Sequence, residues 1–376
     1  MKKPSKAKHS GALAQILRDE WFLAVSLGTV AFFAIGGESL QSRLDSPLEF
    51  LIVFVWLFAT VLGSAMSVAR HADKVAELLG EPYGTLVLTI SVTAIEVMSI
   101  TAVMLHGENN PELVRDTLFA VVMIILGGMV GTSLLVGGLR HREQHYNLQG
   151  ANAYLSVIIP LAMLTLSLPN FTVTTPGPTL STAQEIFLVV VSIGLFAVFL
   201  TIQTGRHRGY FAADDGDGAH HHGGPTRSLG WHAALLIAYI LPVVYLAEQL
   251  ARPIDYLIET LHMPDSVGGV IIALLVATPE AIAATRAAAM NKVQRSINIS
   301  LGSVLSSIGL TVPVMLAVSY FTSHRVVLGL SSANDLLLAV TLAVSVVTFA
   351  SGRTNVLQGA VHITLFAAFV LLIFQA

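Results

Sequence analysis

Eleven stretches of the chain are apolar for long enough to cross a lipid bilayer. They lie near residues 20–38, 48–69, 83–105, 116–139, 151–169, 183–204, 231–250, 267–289, 296–319, 333–350 and 357–375. A span needs about 20 mostly apolar residues. The runs are long and lack two-residue alternation, which predicts helices rather than strands. Between them lie short polar turns, with one exception. The segment 205–230, GRHRGYFAADDGDGAHHHGGPTRSLG, is rich in Gly, Asp and His and poor in large apolar residues, and it predicts a mobile linker. It divides the chain into a tail (1–19), one helix (20–38), five helices over 48–204, and five more over 231–376.

Two of the runs carry a carboxylate near the middle. Residues 85–101, TLVLTISVTAIEVMSIT, hold Glu96, and residues 267–289, VGGVIIALLVATPEAIAATRAAA, hold Glu280. A charge at the bilayer centre costs about 2.5–3.5 kcal/mol on insertion scales, so such a residue ordinarily has a partner or a task. A structural carboxylate hydrogen-bonded inside the bundle is the plainer alternative. Its occurrence in corresponding helices of two halves argues instead for one shared site that binds a cation and protons in turn.

Composition agrees with the pattern. The 376 residues are 54% hydrophobic and 11% charged, against about 25% charged in soluble domains. The expected fold class is therefore an all-α polytopic membrane protein. Net charge is −3 with no long basic block, which excludes nucleic acid as a partner. The chain has no cysteine, so neither a disulfide nor a thiolate metal site is available. The N-terminal MKKPSKAKHS is basic, but no small-residue cleavage site follows the first run, which is expected to be a retained helix. The patch from Leu13 to Trp21, with Arg18 and Asp19, is amphipathic and suits a membrane surface.

Threading eleven helices with the N-terminus in the cytoplasm leaves only Arg43, Arg115, Arg252 and Arg325 on the far side; the other sixteen of the twenty Lys and Arg face the cytoplasm. That bias supports both the orientation and the helix count. Five is odd, so the second half enters the membrane from the opposite side, which makes an inverted repeat. In each half the carboxylate lies in the second helix. The third helix then carries small residues: Gly127, Gly128, Gly131 and Gly137 in one, Gly302, Ser303, Ser306, Ser307 and Gly309 in the other. Transporters built this way bind their cargo near the midplane, often at broken helices. Pro279, beside Glu280, is expected to break its helix and free a carbonyl for a cation.

The run 80–85, GEPYGT, followed by the Glu96 helix, resembles the first half of bacterial ChaA-type calcium/proton antiporters. Residues 277–281, ATPEA, and 302–306, GSVLS, resemble the second half. These antiporters form part of the cation/proton exchanger (CAX) branch of the calcium/cation antiporter superfamily, and the resemblance covers nearly the whole chain. It implies that Glu96 and Glu280 are the two essential glutamates. It also implies a proton-driven exchange of cytoplasmic Ca2+ for external protons, with Na+/H+ and K+/H+ exchange as the alternative, and residence in a bacterial inner membrane. Two features depart from the family. Val92-Thr93-Ala94-Ile95 precede Glu96 where many members have a Gly-Asn pair, and 123–126 read MIIL where 302–305 read GSVL. The first half-site is thus the less polar one.

Calcium takes 6–8 oxygen ligands at about 2.3–2.6 Å. Two carboxylates supply charge, and Thr89, Thr93, Thr278, Ser303, Ser306, Ser307 and Asn298 are candidate neutral ligands. Small residues on the third helices also permit plain close packing, and Asn298 can equally bridge two helices. An empty apolar site favours protonated carboxyls, and a bound cation favours ionised ones. This mutual exclusion is what an antiporter needs. No resident cofactor is expected; lipid, inorganic cations and protons are the partners, and nothing in the pattern sets an oligomeric state. The cluster Asp214, Asp215, Asp217, His220, His221 and His222 is either a solvated linker or a weak regulatory cation-binding segment. His362 in the last run fits a satisfied interior histidine better than a proton relay. Glu185, Glu248 and Asp335, near run ends, suit capping or interfacial roles. No HExxH motif and no Ser–His–Asp set stands at one depth, which argues against an enzyme. A channel would not need carboxylates that must be emptied each cycle.

Overall fold

The computed structural model describes residues 18–41, 46–80, 83–106, 110–212 and 227–375, without the side chains of 38–41. Among these residues the chain forms eleven principal helices. They are α1 (Trp21–Gln41), α2 (Pro47–Leu79), α3 (Tyr83–Met104), α4 (Leu113–His141), α5 (Leu148–Phe171), α6 (Thr182–Arg206), α7 (Leu229–Thr260), α8 (Ser266–Ala289), α9 (Val293–Thr322), α10 (Ser332–Phe349) and α11 (Val356–Ile373). Ten are long and apolar enough to cross a membrane, and α1 carries a shorter apolar stretch, Trp21–Gly37. The chain is an integral membrane protein. The remaining regular structure is a two-residue ladder, β1 (Gln144–His145) with β2 (Arg353–Thr354), paired antiparallel.

Two helices outrun their apolar stretches. α2 continues past residue 69 through Arg70, His71, Asp73, Lys74 and Glu77, where Lys74 pairs with Glu77 at 2.7 Å. It ends at Gly80, whose φ of 66° suits a residue without Cβ and whose N–H bonds the Ala76 carbonyl. α7 runs on to Thr260, so Glu248 lies inside it and not at its end. In both cases a polar extension kept helical geometry because its charged residues can sit at the end of the bundle.

α2 and α7 pack side by side and antiparallel. Phe50, near the start of α2, stacks on Tyr256 near the end of α7, with centroids 4.7 Å apart. His71, near the end of α2, meets His232 near the start of α7, Nδ1 to Nδ1 at 3.0 Å. Two halves inserted in opposite senses require this relation. The buried apolar residues fall into two clusters. One joins α1, α2 and α7; the other joins α4–α6 with α9–α11. α3 and α8 contribute to both, Ile95 and Leu275 to the first and Ile100 and Ala277 to the second. The two glutamate helices therefore lie between two separately packed bodies.

The loops sort into two groups at opposite ends of the bundle. At one end, Gln144 donates to Ala288 O and Asn291 Oδ1, Gln294 accepts from Asn147 N–H, and Tyr146 N–H bonds Gly352 O. At the other, Val327 N–H bonds Pro111 O, and Asn170 donates to Leu330 O. Among the described residues, the loops after α4, α8 and α10 share one end and those after α3 and α9 the other, as alternating passage of the helices requires.

Two expectations change, for Pro279 and for the start of the linker. α8 is helical without interruption through Pro279. The proline still withholds an N–H from the Leu275 carbonyl, but it does not break the helix. The irregular backbone lies instead in π-helical turns, Ile124–Met129 in α4 and Ser307–Thr311 in α9. The linker does not begin loose at 205. Phe211 is buried against Tyr154 and Phe199, so residues up to 212 dock on the bundle; two aromatics in an otherwise polar run are anchor enough. Asp214, Asp215, Asp217, His220, His221 and His222 lie outside the described residues, as does most of the patch from Leu13 to Trp21. As expected of a satisfied interior histidine, His362 is wholly buried, with Nδ1 at 2.6 Å from Leu126 O and Nε2 at 3.0 Å from Thr348 Oγ1. Its ring satisfies a carbonyl of the α4 π-turn, which is a structural task.

Candidate functional site

α9 brings the two glutamates together. Ser307 donates to Glu96 Oε2 at 2.8 Å. Ser303, one turn earlier, donates to Glu280 Oε2. One face of one helix therefore holds both carboxylates, and each lies on a different partner helix, α3 or α8. The sequence permits this because the stretch 302–307, GSVLSS, places small hydroxyl residues one turn apart, and the π-turn starting at Ser307 follows them directly. Ser306 lines the same cavity as Glu280, and its hydroxyl donates to Ser303 O at 3.0 Å, which braces the turn.

The two carboxylates differ in access. Glu280 lines a cavity of about 320 Å3, whose wall also includes Asp73, Thr85, Thr89, Pro279, Arg295 and Ser303. The wall descends α3 from Thr85 to Val92 and stops about one turn short of Glu96. Glu96 itself is 1% exposed. Its second oxygen, Oε1, and the buried hydroxyl of Thr93 make no hydrogen bond among the described residues, and the buried Thr311 hydroxyl stands close enough to act on the carboxylate as a donor. Buried polar atoms are ordinarily paired. A buried carboxylate flanked by two hydroxyls, Thr93 on its own helix and Thr311 on the facing one, is a donor set with unused oxygen lone pairs, as a bound cation would require.

The other expected ligands separate. Thr89 lies on the cavity wall. Thr93 is buried beside Glu96 on α3. Thr278 is not on the cavity wall, and its hydroxyl donates to Leu274 O. Asn298 is on the wall, but its Nδ2 donates to Phe211 O at 2.7 Å and its Oδ1 accepts from Gln294. Asn298 therefore ties the docked linker to α9. α4 offers no hydroxyl in its π-turn, IILGGM, so the polar partners come from α9. Sequence reasoning missed Asp73, which lies past the apolar run of α2, and Thr311, whose role depends on the π-turn.

The sodium/calcium exchanger protein family model matches residues 49–205 and 231–375, five helices on each side of the linker. The chain belongs to that family. Two relatives from bacteria fit this membership. A protein described as a putative ionic transporter from Sinorhizobium fredii is 45% identical over 266 residues, covering 70% of this chain and 72% of that one. The sodium-potassium/proton antiporter ChaA of Escherichia coli is 39% identical over 269 residues, covering 70% and 73%. The solved structure of YfkE superposes with a TM-score of 0.73 at 19% identity, over 94% of this chain and 100% of that one, which establishes a shared fold. Members of the exchanger family are ion antiporters, not enzymes, and this chain carries out cation exchange across a membrane.

Proposed function

We propose that the chain exchanges cytoplasmic Ca2+ for external protons at a site formed by Glu96 and Glu280. The observation that carries this is the pair of carboxylates held one turn apart on the same face of α9, one open to a cavity and one sealed beyond it. A divalent cation balanced by two carboxylates can be replaced by two protons without change of net charge in the site. Cation and protons then compete for the same oxygens, so the site is filled by one or the other as it is presented to each side. With the N-terminus in the cytoplasm, a placement that the Lys and Arg bias supports, the cavity reaches Glu280 from the cytoplasmic end. A bacterial inner membrane is the setting that the relatives' sources support.

A second reading, mainly Na+/H+ and K+/H+ exchange on the same scaffold, is favoured by the absence of hydroxyls in the α4 π-turn and by the name of the Escherichia coli relative. Inside-out vesicles with a pH-sensitive dye separate the readings. Wild type is expected to release protons on addition of Ca2+, and Glu96→Gln and Glu280→Gln are expected to be silent with Ca2+, Na+ and K+ alike. Either mutant exchanging at the wild-type rate would remove the two-glutamate site, and the wild-type ranking of ions names the cargo.

A further inference from the structure

We propose that Asp73 and Arg295 form an electrostatic filter at the mouth of the Glu280 cavity, in which Arg295 lowers the preference for divalent over monovalent cations and Asp73 raises it. The inference rests on the exchange reading above and adds a specificity-determining pair to it. Asp73 comes from the polar extension of α2 and Arg295 from the first turn of α9, one from each half of the chain. Both side chains line the cavity that ends on Glu280, and both are solvent-exposed. Asp73 is within electrostatic range of Arg295 and also of Glu280. The neighbouring Lys74 and Glu77 also act on Asp73, but they pair with each other at 2.7 Å and largely cancel. Among the described residues, the cavity wall outside Glu280 then carries one fixed negative and one fixed positive charge on the path to the buried carboxylate.

A fixed charge acts on an ion in proportion to the ion's own charge. If removing Arg295 multiplies the local occupancy of a monovalent cation by some factor, it multiplies that of a divalent cation by the square of that factor. At a separation of several ångströms in a water-filled mouth the factor is about 2 to 3 for Na+ or K+, and hence about 4 to 9 for Ca2+. Asp73 removal works in the opposite direction by the same rule. The effect fades with salt, since the screening length falls from about 10 Å at 0.1 M to about 3 Å at 1 M. A side chain that only shaped the wall would show neither the square law nor the salt dependence.

The test measures the half-saturating concentrations of Ca2+, Na+ and K+ for proton release in inside-out vesicles. Wild type, Arg295→Gln, Arg295→Lys and Asp73→Asn are compared at low ionic strength and in high choline chloride. The expected result is tighter Ca2+ use by Arg295→Gln with a smaller gain for Na+ and K+, wild-type ratios in Arg295→Lys, weaker Ca2+ use by Asp73→Asn, and convergence of all four in high salt. Equal shifts for Ca2+ and Na+, or shifts that persist in high salt, would overturn the filter while leaving the exchange reading intact. For a wild type that exchanges a single ion, opposite and salt-sensitive shifts in Arg295→Gln and Asp73→Asn are the supporting result, and shifts of the same sign overturn it. If Arg295→Gln fails to insert, Asp73→Asn and Arg295→Lys still decide. A wild type silent with every ion overturns the exchange reading, and the filter with it.

Discussion

Single hydroxyls carry unequal weight at this site. Ser307 donates to Glu96 at 2.8 Å and is the stronger of its two hydroxyl neighbours, Thr311 being the other. Ser306, on the cavity wall, donates to a carbonyl of its own turn and not to a carboxylate. Removing a donor from a buried charged group costs about 1–3 kcal/mol, which corresponds to about a 5-fold to 150-fold loss. Ser307→Ala is therefore expected to weaken apparent cation affinity in proton-release assays by a factor in that range. Ser306→Ala is expected to stay within about 2-fold, because the bond it loses is to a backbone carbonyl of its own turn and leaves both carboxylates with their donors. His362 supplies a contrast. Both of its ring nitrogens are engaged inside the bundle. His362→Ala is expected to lower thermal stability in detergent and to leave the pH profile of exchange in place, which a relay histidine would not.

At the scale of elements, the crossing of α4 with α11 depends on glycines. A Cβ at Gly131 would lie 2.9 Å from the Ile363 backbone nitrogen, and one at Gly359 would lie 2.5 Å from Leu135 N. Gly127 and Gly131 stand four apart on the face that lets helix backbones approach. Overpacking costs about 1–3 kcal/mol, so Gly131→Leu and Gly359→Leu are expected to lower the unfolding temperature in detergent by several degrees. Gly128→Ala, where the nearest atom is 3.5 Å away, is expected to be neutral. Helix positions were legible from the apolar runs to within a few residues almost everywhere. The exceptions, the ends of α2 and α7, are helical but polar, and a search for bilayer-length apolar runs cannot see them. Asp73 was missed for that reason.

At the scale of the whole molecule, the linker begins as part of the bundle. Phe211 fills the gap between Tyr154 and Phe199, and its carbonyl is held by Asn298. Deleting 213–223 is expected to leave exchange rate, cation affinity and pH dependence near wild type, while Phe211→Ala is expected to disturb all three, because that ring closes against residues of the cavity wall. A deletion that shifts cation affinity would show that the acidic and histidine residues bind the cargo.

The sequence by itself determined the membrane class, eleven helices, two halves of opposite sense, and Glu96 with Glu280 as the costly residues. All of these follow from the length of apolar runs, the distribution of Lys and Arg, and the cost of burying charge, which are local or additive along the chain. The tertiary structure alone decided that both carboxylates lean on α9, that Glu280 faces a cavity and Glu96 does not, and that Pro279 leaves its helix whole. It also gave Asn298 a structural task and brought Asp73 and Arg295 to one cavity wall. Each of those depends on which face of one helix meets another, and on where π-turns shift that face. Spacing along a chain does not set the rotation of one helix against its neighbour; packing of the whole bundle does.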